Sequence, residues 1–209
     1  MESSVRTLLD TRFACKHFDT TKKIDAAVLH DLLDAARVSP SSYGLQAWKF
    51  VVVTNPELKA VLAPAAYGQP QMTESDALVF FCARTDLMGD TGVINRYMAK
   101  YQQDMGVTPE QTEGFKAMLT GSVTGKTADE VKTWTQKQVY LPAMTLMLAA
   151  MEKGIDSCPM EGFDPAKVAE ILGLDASTVP TVLVTLGYKN MEKPAKSRFT
   201  FEDVVEIRA

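Results

Sequence analysis

Histidine is scarce in this chain of 209 residues, with only His17 and His30 present. Neither lies in an HExxH, HxH or mixed Cys/His pattern. Because catalytic zinc and non-haem iron sites are assembled from such ligands, the sequence predicts no metal centre. The chain also lacks a GxSxG nucleophile elbow. Metal-dependent and serine-hydrolase chemistry are therefore not expected.

Long apolar segments, linkers and paired cysteines are missing as well. The longest strongly apolar run, Leu141–Met151, falls far short of the roughly 20 residues of a membrane helix. No low-complexity linker divides the chain, so we expect a single domain over residues 1–209. Cys15, Cys82 and Cys158 are odd in number, form no CxxC pair and follow no secretory leader. This usage favours a reducing cytoplasm and no membrane partner.

The sequence offers no general surface for phosphate-rich partners. The net charge is -4, with acidic and basic residues mixed along the chain, which argues against nucleic-acid binding. No GxGxxG follows a predicted strand. Gly121–Thr127 resembles a P-loop, but it has one residue too few between its glycines and follows an amphipathic helix. We interpret it as a flexible loop between helices, so any anion site must be local.

Three short β-rich segments and several capped helices indicate an α+β fold. The segments Trp48–Thr54, Ala77–Ala83 and Val179–Leu186 are more continuously apolar than alternating, so the strands should be covered on both faces. Apolar residues over Ile24–Ala36 recur at helical spacing, and Pro40 follows shortly after. Further helix starts are predicted after the capping residues Asn55, Thr108, Thr127 and Asp164.

A long helix and a C-terminal arm complete the predicted elements. Residues 128–153 follow a helical pattern that is apolar almost all round in its second half and ends at Gly154. Such a helix should be buried on every side, either in a central core position or at a subunit interface. Residues 190–209 are first charged and then alternate apolar with polar residues. We expect an arm that ends in an edge strand and wraps another surface.

Two N-terminal segments carry the residue types of a ligand site. Arg12 and Lys16 are spaced i and i+4, so on a helical turn both could reach one anion. In Pro40–Trp48, a proline stops the preceding helix, and small, hydroxyl-rich residues follow before an aromatic leads into a strand. This composition lets the backbone approach a bound molecule closely.

Two further segments near the other end complete a family pattern. They are Pro159–Asp164, with the sequence PMEGFD, and Lys196–Arg198, with the sequence KSR. In order and separation, the four segments resemble the FMN-dependent nitroreductase family. The likeness covers nearly the whole chain, and Lys137–Leu141 resembles the oxygen-insensitive, minor-type bacterial subfamily.

The resemblance implies both a fold and a reaction. The fold would be three-layered, with a central mixed β-sheet flanked by helices and residues 190–209 exchanged with the partner of a homodimer. The cofactor would be FMN, and NADH or NADPH would serve as a transient electron donor. Hydride would pass from NAD(P)H through FMN to a nitroaromatic or a quinone in ping-pong order, because flat, electron-poor molecules can stack on the flavin.

The resemblance also assigns cofactor contacts. Arg12, Lys196 and Arg198 would hold the FMN phosphate, while residues of the Pro40–Gly44 segment would come from the partner subunit. The full set of implied cofactor contacts is Arg12, Phe13, Ala14, Lys16, Pro40, Ser41, Ser42, Gly44, Gln69, Gln71, Pro159, Met160, Glu161, Gly162, Lys196 and Arg198.

Catalytic roles would fall to Lys16, Glu161 and Gly162. An ammonium at the pyrimidine edge of a flavin favours its anionic reduced form, which is the role implied for Lys16. The backbone amides around Glu161 and Gly162 would face N5, where the hydride arrives. Tyr43 and Phe115 would line the open substrate slot, although buried aromatic packing is a near-equal interpretation of Phe115.

Two departures from the family pattern keep alternatives open. Family members often have serine where Ala14 stands and asparagine where Gly44 stands, so one phosphate contact and one ring contact are missing. One alternative is an NAD(P)H-dependent flavin or dihydropteridine reductase using the same site. A second is a flavin-binding protein without turnover. A P-loop nucleotide hydrolase rests only on the incomplete motif at Gly121.

Overall fold

The computed structural model describes residues 4–208 and is built around one four-stranded sheet. The strands are β1 (Trp48–Val53), β2 (Ala77–Arg84), β3 (Asp156–Met160) and β4 (Thr178–Gly187). They lie in the order β1-β2-β4-β3. Three of them match the predicted β-rich segments. The short strand β3 was missed because it contains a proline and begins with polar residues, which a pattern search does not select as a strand.

Every pairing between these four strands is antiparallel. The α+β class is confirmed, but the expected mixed sheet is wrong in this detail. Parallel pairing among the described residues is limited to one bridge between Ala14 and Ser157. The N-terminal segment thus meets β3 at a single bridged position and adds no full strand to the sheet.

Helices surround the sheet. They are α1 (Val5–Thr11), α2 (Ala26–Arg37), α3 (Pro56–Leu62), α4 (Gln71–Glu74), α5 (Val93–Met105), α6 (Glu113–Val123), α7 (Ala128–Glu152), α8 (Pro165–Ile171) and α9 (Phe201–Val204). Short 3-10 turns occur at Ser42–Gly44, Ala63–Ala66 and Glu110–Thr112. None of the helices formed by residues 4–208 is long and apolar enough to cross a membrane.

The central strand β2 divides the apolar core into two layers. Leu78 and Phe80 pack with residues of α3 and α8 on one face of the sheet. Val79 and Phe81 pack with residues of α2 and α7 on the other face. This division explains the continuous apolar run of β2, since alternate residues are buried on opposite faces. The predicted three-layer arrangement is confirmed.

Helix starts follow local capping chemistry. The side chains of Asn55, Thr127 and Asp164 cap α3, α7 and α8 as expected. The Thr108 hydroxyl instead accepts the Gln111 N–H within a 3-10 turn, and α6 begins only at Glu113. The interpretation of Gly121–Thr127 as a connection between helices is confirmed only in part, because its first three residues end α6 and residues 124–127 form the loop to α7.

Helix α7 is not buried on every side within one chain. Val139 and Leu146 are fully buried, whereas Tyr140 and Leu141 are 43% and 45% exposed. The expectation of complete burial is therefore wrong for a single chain. Both exposed side chains belong to the half of α7 that is apolar almost all round.

The C-terminal arm contains a short helical turn and no strand among its described residues, 190–208. The expected edge strand is wrong, because Thr200 and Asp203 form a capping box that starts α9. Reciprocal side-chain bonds at that box satisfy the backbone locally, where an edge strand would need a neighbour to pair with. Phe199 and Ile207 are 82% and 79% exposed, so this arm buries little apolar surface within its own chain.

Removing the cap of α7 should weaken the fold measurably. Thr127 accepts the Glu130 N–H, and the Glu130 carboxylate accepts the Thr127 N–H at 2.8 Å. We expect Thr127→Ala to lower the free energy of unfolding by about 1 kcal/mol. The matched control is Thr133→Ala, an exposed position of the same helix, which should be neutral or slightly stabilising. Chemical denaturation measures both, and equal effects would contradict a capping role.

Candidate functional site

The segment that contains Arg12 and Lys16 is extended. Helix α1 ends at Thr11, and Arg12 is its C-cap with φ -62° and ψ 146°. The predicted helical turn is therefore wrong. Phe13 and Cys15 are buried, Ala14 is half-buried and Lys16 is exposed. Residues an even number apart on an extended segment share a side, so the i, i+4 pair stays on one side for a different reason.

The three residues predicted to hold a phosphate lie together. The Lys196 ammonium donates to the Arg12 carbonyl at 2.9 Å. Burial lowers the pKa of the Arg12 guanidinium, and the nearby positive charge of Arg198 lowers it further. The Nε of Arg12 is buried and has no hydrogen-bond partner among the described residues. A buried, unpaired donor on a cation is costly unless an anion satisfies it.

Lys16 and Gln71 converge on a residue that the sequence did not single out as functional. The Lys16 ammonium donates to the Cys158 sulfur at 3.4 Å, and Gln71 Nε2 lies 3.8 Å from the same sulfur. Gln71 is only 2% exposed. The backbone N–H of Lys16 donates to the sulfur of Met191 at 3.2 Å. Lys16 is thus held between two sulfur atoms beside the start of the arm.

The turn after β3 is held by side chains from two other elements. Gln69 Nε2 donates to the Gly162 carbonyl at 2.8 Å, and the Tyr140 hydroxyl donates to the Glu161 carboxylate at 2.8 Å. Burial, together with the Glu161 carboxylate, raises the pKa of Tyr140 to about 12. The backbone N–H of Gly162 donates to no other described residue. This amide is therefore available to a ligand. Pro159 and Met160, the last two residues of β3, precede the turn in the chain.

We call the candidate site residues at the N-terminal segment, the arm and the turn after β3 the β3 group. Its members are Arg12, Lys16, Gln69, Gln71, Cys158, Glu161, Gly162, Lys196 and Arg198.

The predicted segment after Pro40 forms a separate, tightly wound loop. Tyr43 and Gly44 have φ of 56° and 71°, in the left-handed region that favours glycine. A Cβ at Gly44 would lie 2.8 Å from the Tyr97 hydroxyl. The absence of asparagine at this position therefore has a physical reason, since Tyr97 occupies the space of a side chain. Ser41 stabilises the loop by accepting the Gln46 N–H at 2.9 Å.

Phe115 lies in an aromatic cluster. Its ring centroid is 5.4 Å from that of Tyr101 and 6.3 Å from that of Tyr97. Phe115 is half-buried there, whereas Tyr43 is 48% exposed. The packing interpretation of Phe115 thus has direct support, and through Tyr97 this cluster adjoins the loop at Gly44.

Helix α7 separates the β3 group from residues 41–44 within one chain. Gln138 Oε1 accepts the Ser42 N–H at 2.8 Å, whereas Tyr140 bonds to Glu161. At 3.6 residues per turn, positions 138 and 140 point about 200° apart around the helix. The two parts of the predicted site therefore lie on opposite sides of α7.

Four residues of this arrangement were not predicted as site residues: Tyr97, Gln138, Tyr140 and Cys158. Gln138 and Tyr140 lie in the KQVYL segment that carried part of the family resemblance. Cys158 directly precedes the PMEGFD segment. Their location in or beside segments that carry the family resemblance is the sequence signal that could have identified these three residues. Tyr97 had none, because its role depends on the three-dimensional position of α5.

Two cavities flank these elements. One of about 580 Å³ lies between α7 and the end of β3, with Tyr140 and Glu161 in its wall and otherwise apolar lining. Another of about 930 Å³ lies between α5 and α6 and contains none of the predicted site residues. Only the first adjoins the β3 group.

Comparisons with known proteins identify the family of this chain. A family model described as the nitroreductase family matches residues 9–188. A protein of Staphylococcus haemolyticus, provisionally named an NAD(P)H nitroreductase, is 34% identical over 215 residues, which is 99% of this chain and 98% of the relative.

Solved structures share the fold. A provisionally named nitroreductase from Exiguobacterium sibiricum, crystallised in complex with FMN, has a TM-score of 0.86 at 23% identity and covers 100% of this chain and 99% of its own. The enone reductase CLA-ER, of a gut-bacterial fatty acid saturation metabolism, has a TM-score of 0.87 at 25% identity and covers 100% and 99%. On the family model and the full-length relative, this chain belongs to the nitroreductase family.

Proposed function

We propose that this protein is an FMN-dependent NAD(P)H oxidoreductase that delivers hydride to flat, electron-poor acceptors such as nitroaromatics and quinones. The observation that carries the proposal is the buried Nε of Arg12, which has no acceptor among residues 4–208 and lies beside Lys196 and Arg198. A phosphate would satisfy this donor and balance the local charge. The FMN complex of the Exiguobacterium relative supports a flavin mononucleotide as the source of that phosphate.

The β3 group fits the remainder of such a cofactor. Gln71 is buried with only a distant sulfur as partner among the described residues, so its amide is free to bind a polar ribityl or ring atom. Lys16 would place a positive charge at the ring, and Gly162 would present its open N–H. The chemistry that FMN supplies when bound is two-electron transfer of hydride, first from NAD(P)H and then to the acceptor, in ping-pong order.

Chain residues would act on this chemistry through charge and position alone. The Lys16 ammonium would stabilise the negative charge that develops on hydride transfer. The Gly162 amide would donate a hydrogen bond beside the reacting position. Tyr43 and the aromatic residues near Phe115 would stack the acceptor. No side chain is required to gain or lose a proton.

A complete site is proposed to need two chains. Residues 41–44 and the β3 group lie on opposite sides of α7, so one flavin would meet both only if a second copy supplies the loop. The exposed apolar residues Tyr140 and Leu141 on α7 are a suitable contact surface for that copy. The arm after residue 190, with exposed Phe199 and Ile207, would cross to the partner.

The first test is spectroscopic. We expect purified protein reconstituted with FMN to show flavin absorbance that bleaches on anaerobic addition of NADH or NADPH and returns with a nitroaromatic. A panel of nitroaromatic, quinone, enone and free flavin acceptors, at saturating donor, would separate the proposed activity from a flavin or pteridine reductase. Protein that takes up no FMN would contradict the proposal.

The phosphate contact has a matched pair of variants. Arg12→Ala should weaken FMN binding by about 2 kcal/mol, or roughly thirtyfold in Kd, because a charge-assisted hydrogen bond is lost. Arg6→Ala removes the same charge from α1, where Arg6 is exposed and paired with Asp10. It should leave Kd nearly unchanged. Fluorescence titration of FMN measures both, and equal losses would show only a general effect of charge.

The dimer proposal predicts linked effects on assembly and cofactor. Leu141→Glu should yield monomers and weaken FMN binding at least tenfold, because a buried, unpaired charge is unfavourable in an interface. Val61→Glu, at a 57% exposed position on α3, is the control and should change neither property. Sedimentation together with FMN titration measures these effects. A monomeric Leu141→Glu variant with unaltered FMN affinity would contradict a shared site.

A further inference from the structure

The turn at Glu161 and Gly162 is fixed by two side chains that leave its amide free. Gln69 binds the Gly162 carbonyl at 2.8 Å, and Tyr140 binds the Glu161 carboxylate at 2.8 Å. In both contacts, an oxygen of the turn accepts the hydrogen bond. Neither occupies the Gly162 N–H, which donates to no other described residue. The two contacts therefore set the orientation of the turn without blocking its donor.

The carboxylate of Glu161 presents an electrostatic problem at this position. A flavin gains negative charge when it accepts hydride, and a nearby carboxylate would oppose that gain. Glu161 is exposed, so its side chain has room to take other orientations. Its observed hydrogen bond is to the phenol of α7. The orientation of the Glu161 carboxylate would therefore affect how readily a nearby flavin accepts negative charge.

Tyr140 is well suited to hold this carboxylate. The wall of the adjoining cavity contains Glu161 and apolar residues of α7, β3 and β4, so no other charged group competes there. Burial and the carboxylate raise the pKa of the Tyr140 phenol to about 12, so it remains a hydrogen-bond donor well above neutral pH. A hydroxyl that donates to an ionised carboxylate makes a charge-assisted hydrogen bond, which is stronger than a bond between neutral groups.

We propose that Tyr140 is a positioning residue that turns the Glu161 carboxylate toward α7 and so keeps this negative charge away from the hydride-accepting edge of the flavin. The inference rests on the proposed function, since it concerns bound FMN. Tyr140 itself touches neither the cofactor nor the acceptor in this role. Its effect is to let the Gly162 amide, without a competing anion, face the reacting position.

The decisive measurement is the midpoint potential of bound FMN in Tyr140→Phe, which keeps the ring and removes the hydroxyl. With the carboxylate released, reduced FMN should bind about tenfold more weakly relative to oxidised FMN. This ratio corresponds to a potential lower by about 30 mV for a two-electron couple. Tyr67→Phe removes a hydroxyl at a 73% exposed position and should leave the potential unchanged.

A double-mutant cycle separates positioning from a general structural effect. In a Glu161→Gln background, where no carboxylate charge exists to be released, Tyr140→Phe should shift the potential little or not at all. A merely structural Tyr140 would weaken oxidised and reduced FMN equally, leaving the potential of Tyr140→Phe unchanged, and this result would overturn the inference. An equal shift in both backgrounds would overturn it as well.

The wild-type measurement distinguishes the two proposals. Wild-type protein that binds no FMN would overturn the proposed function and the inference together. Wild-type protein that binds and reduces FMN, with a Tyr140→Phe potential equal to its own, would overturn the inference and leave the proposed function intact.

Discussion

The directions in which side chains project from the long helix α7 determine which parts of this protein can meet within one chain. Residues two apart on α7 point to opposite sides, so Gln138 reaches the loop at Ser42 while Tyr140 reaches the turn at Glu161. The same helix packs on the sheet through buried residues such as Leu146. One helix therefore contacts two segments of the proposed site and separates them within a chain. Any arrangement that joins the two segments has to place a second α7 nearby.

Charge in this molecule is organised locally. The chain is acidic overall, yet Arg12, Lys196 and Arg198 lie together where the C-terminal segment meets the end of α1. Mutual repulsion and burial both disfavour this arrangement, and no described residue satisfies Arg12 Nε. A ligand of opposite charge would compensate for this unfavourable cluster, as the proposed phosphate does. The unpaired donor and the lowered pKa of Arg12 support the proposed phosphate site, which the net charge of the chain does not indicate.

Several features that the sequence predicted wrongly or left open have one cause, because local patterns do not include the neighbouring residues that determine a conformation. Arg12 and Lys16 have helical spacing, but the bridge from Ala14 to Ser157 keeps their segment extended. Thr200 can cap a helix without any neighbour, so the arm forms a helical turn rather than a strand. Phe115 is an apolar residue of α6 whose packing against Tyr101 depends on how α5 lies beside it.

The sequence by itself determined the α+β class, three of the four strands and the extent of α7, and it supplied the segments of the proposed site. These features depend on periodicity, capping and continuous apolar runs, which are local properties of the chain. Only the tertiary structure decided the antiparallel pairing, the strand at Cys158, and the contacts of Tyr140 and Gln69 with the turn at Gly162. Those features are contacts between residues far apart in sequence, and spacing along one chain does not encode which distant side chains meet.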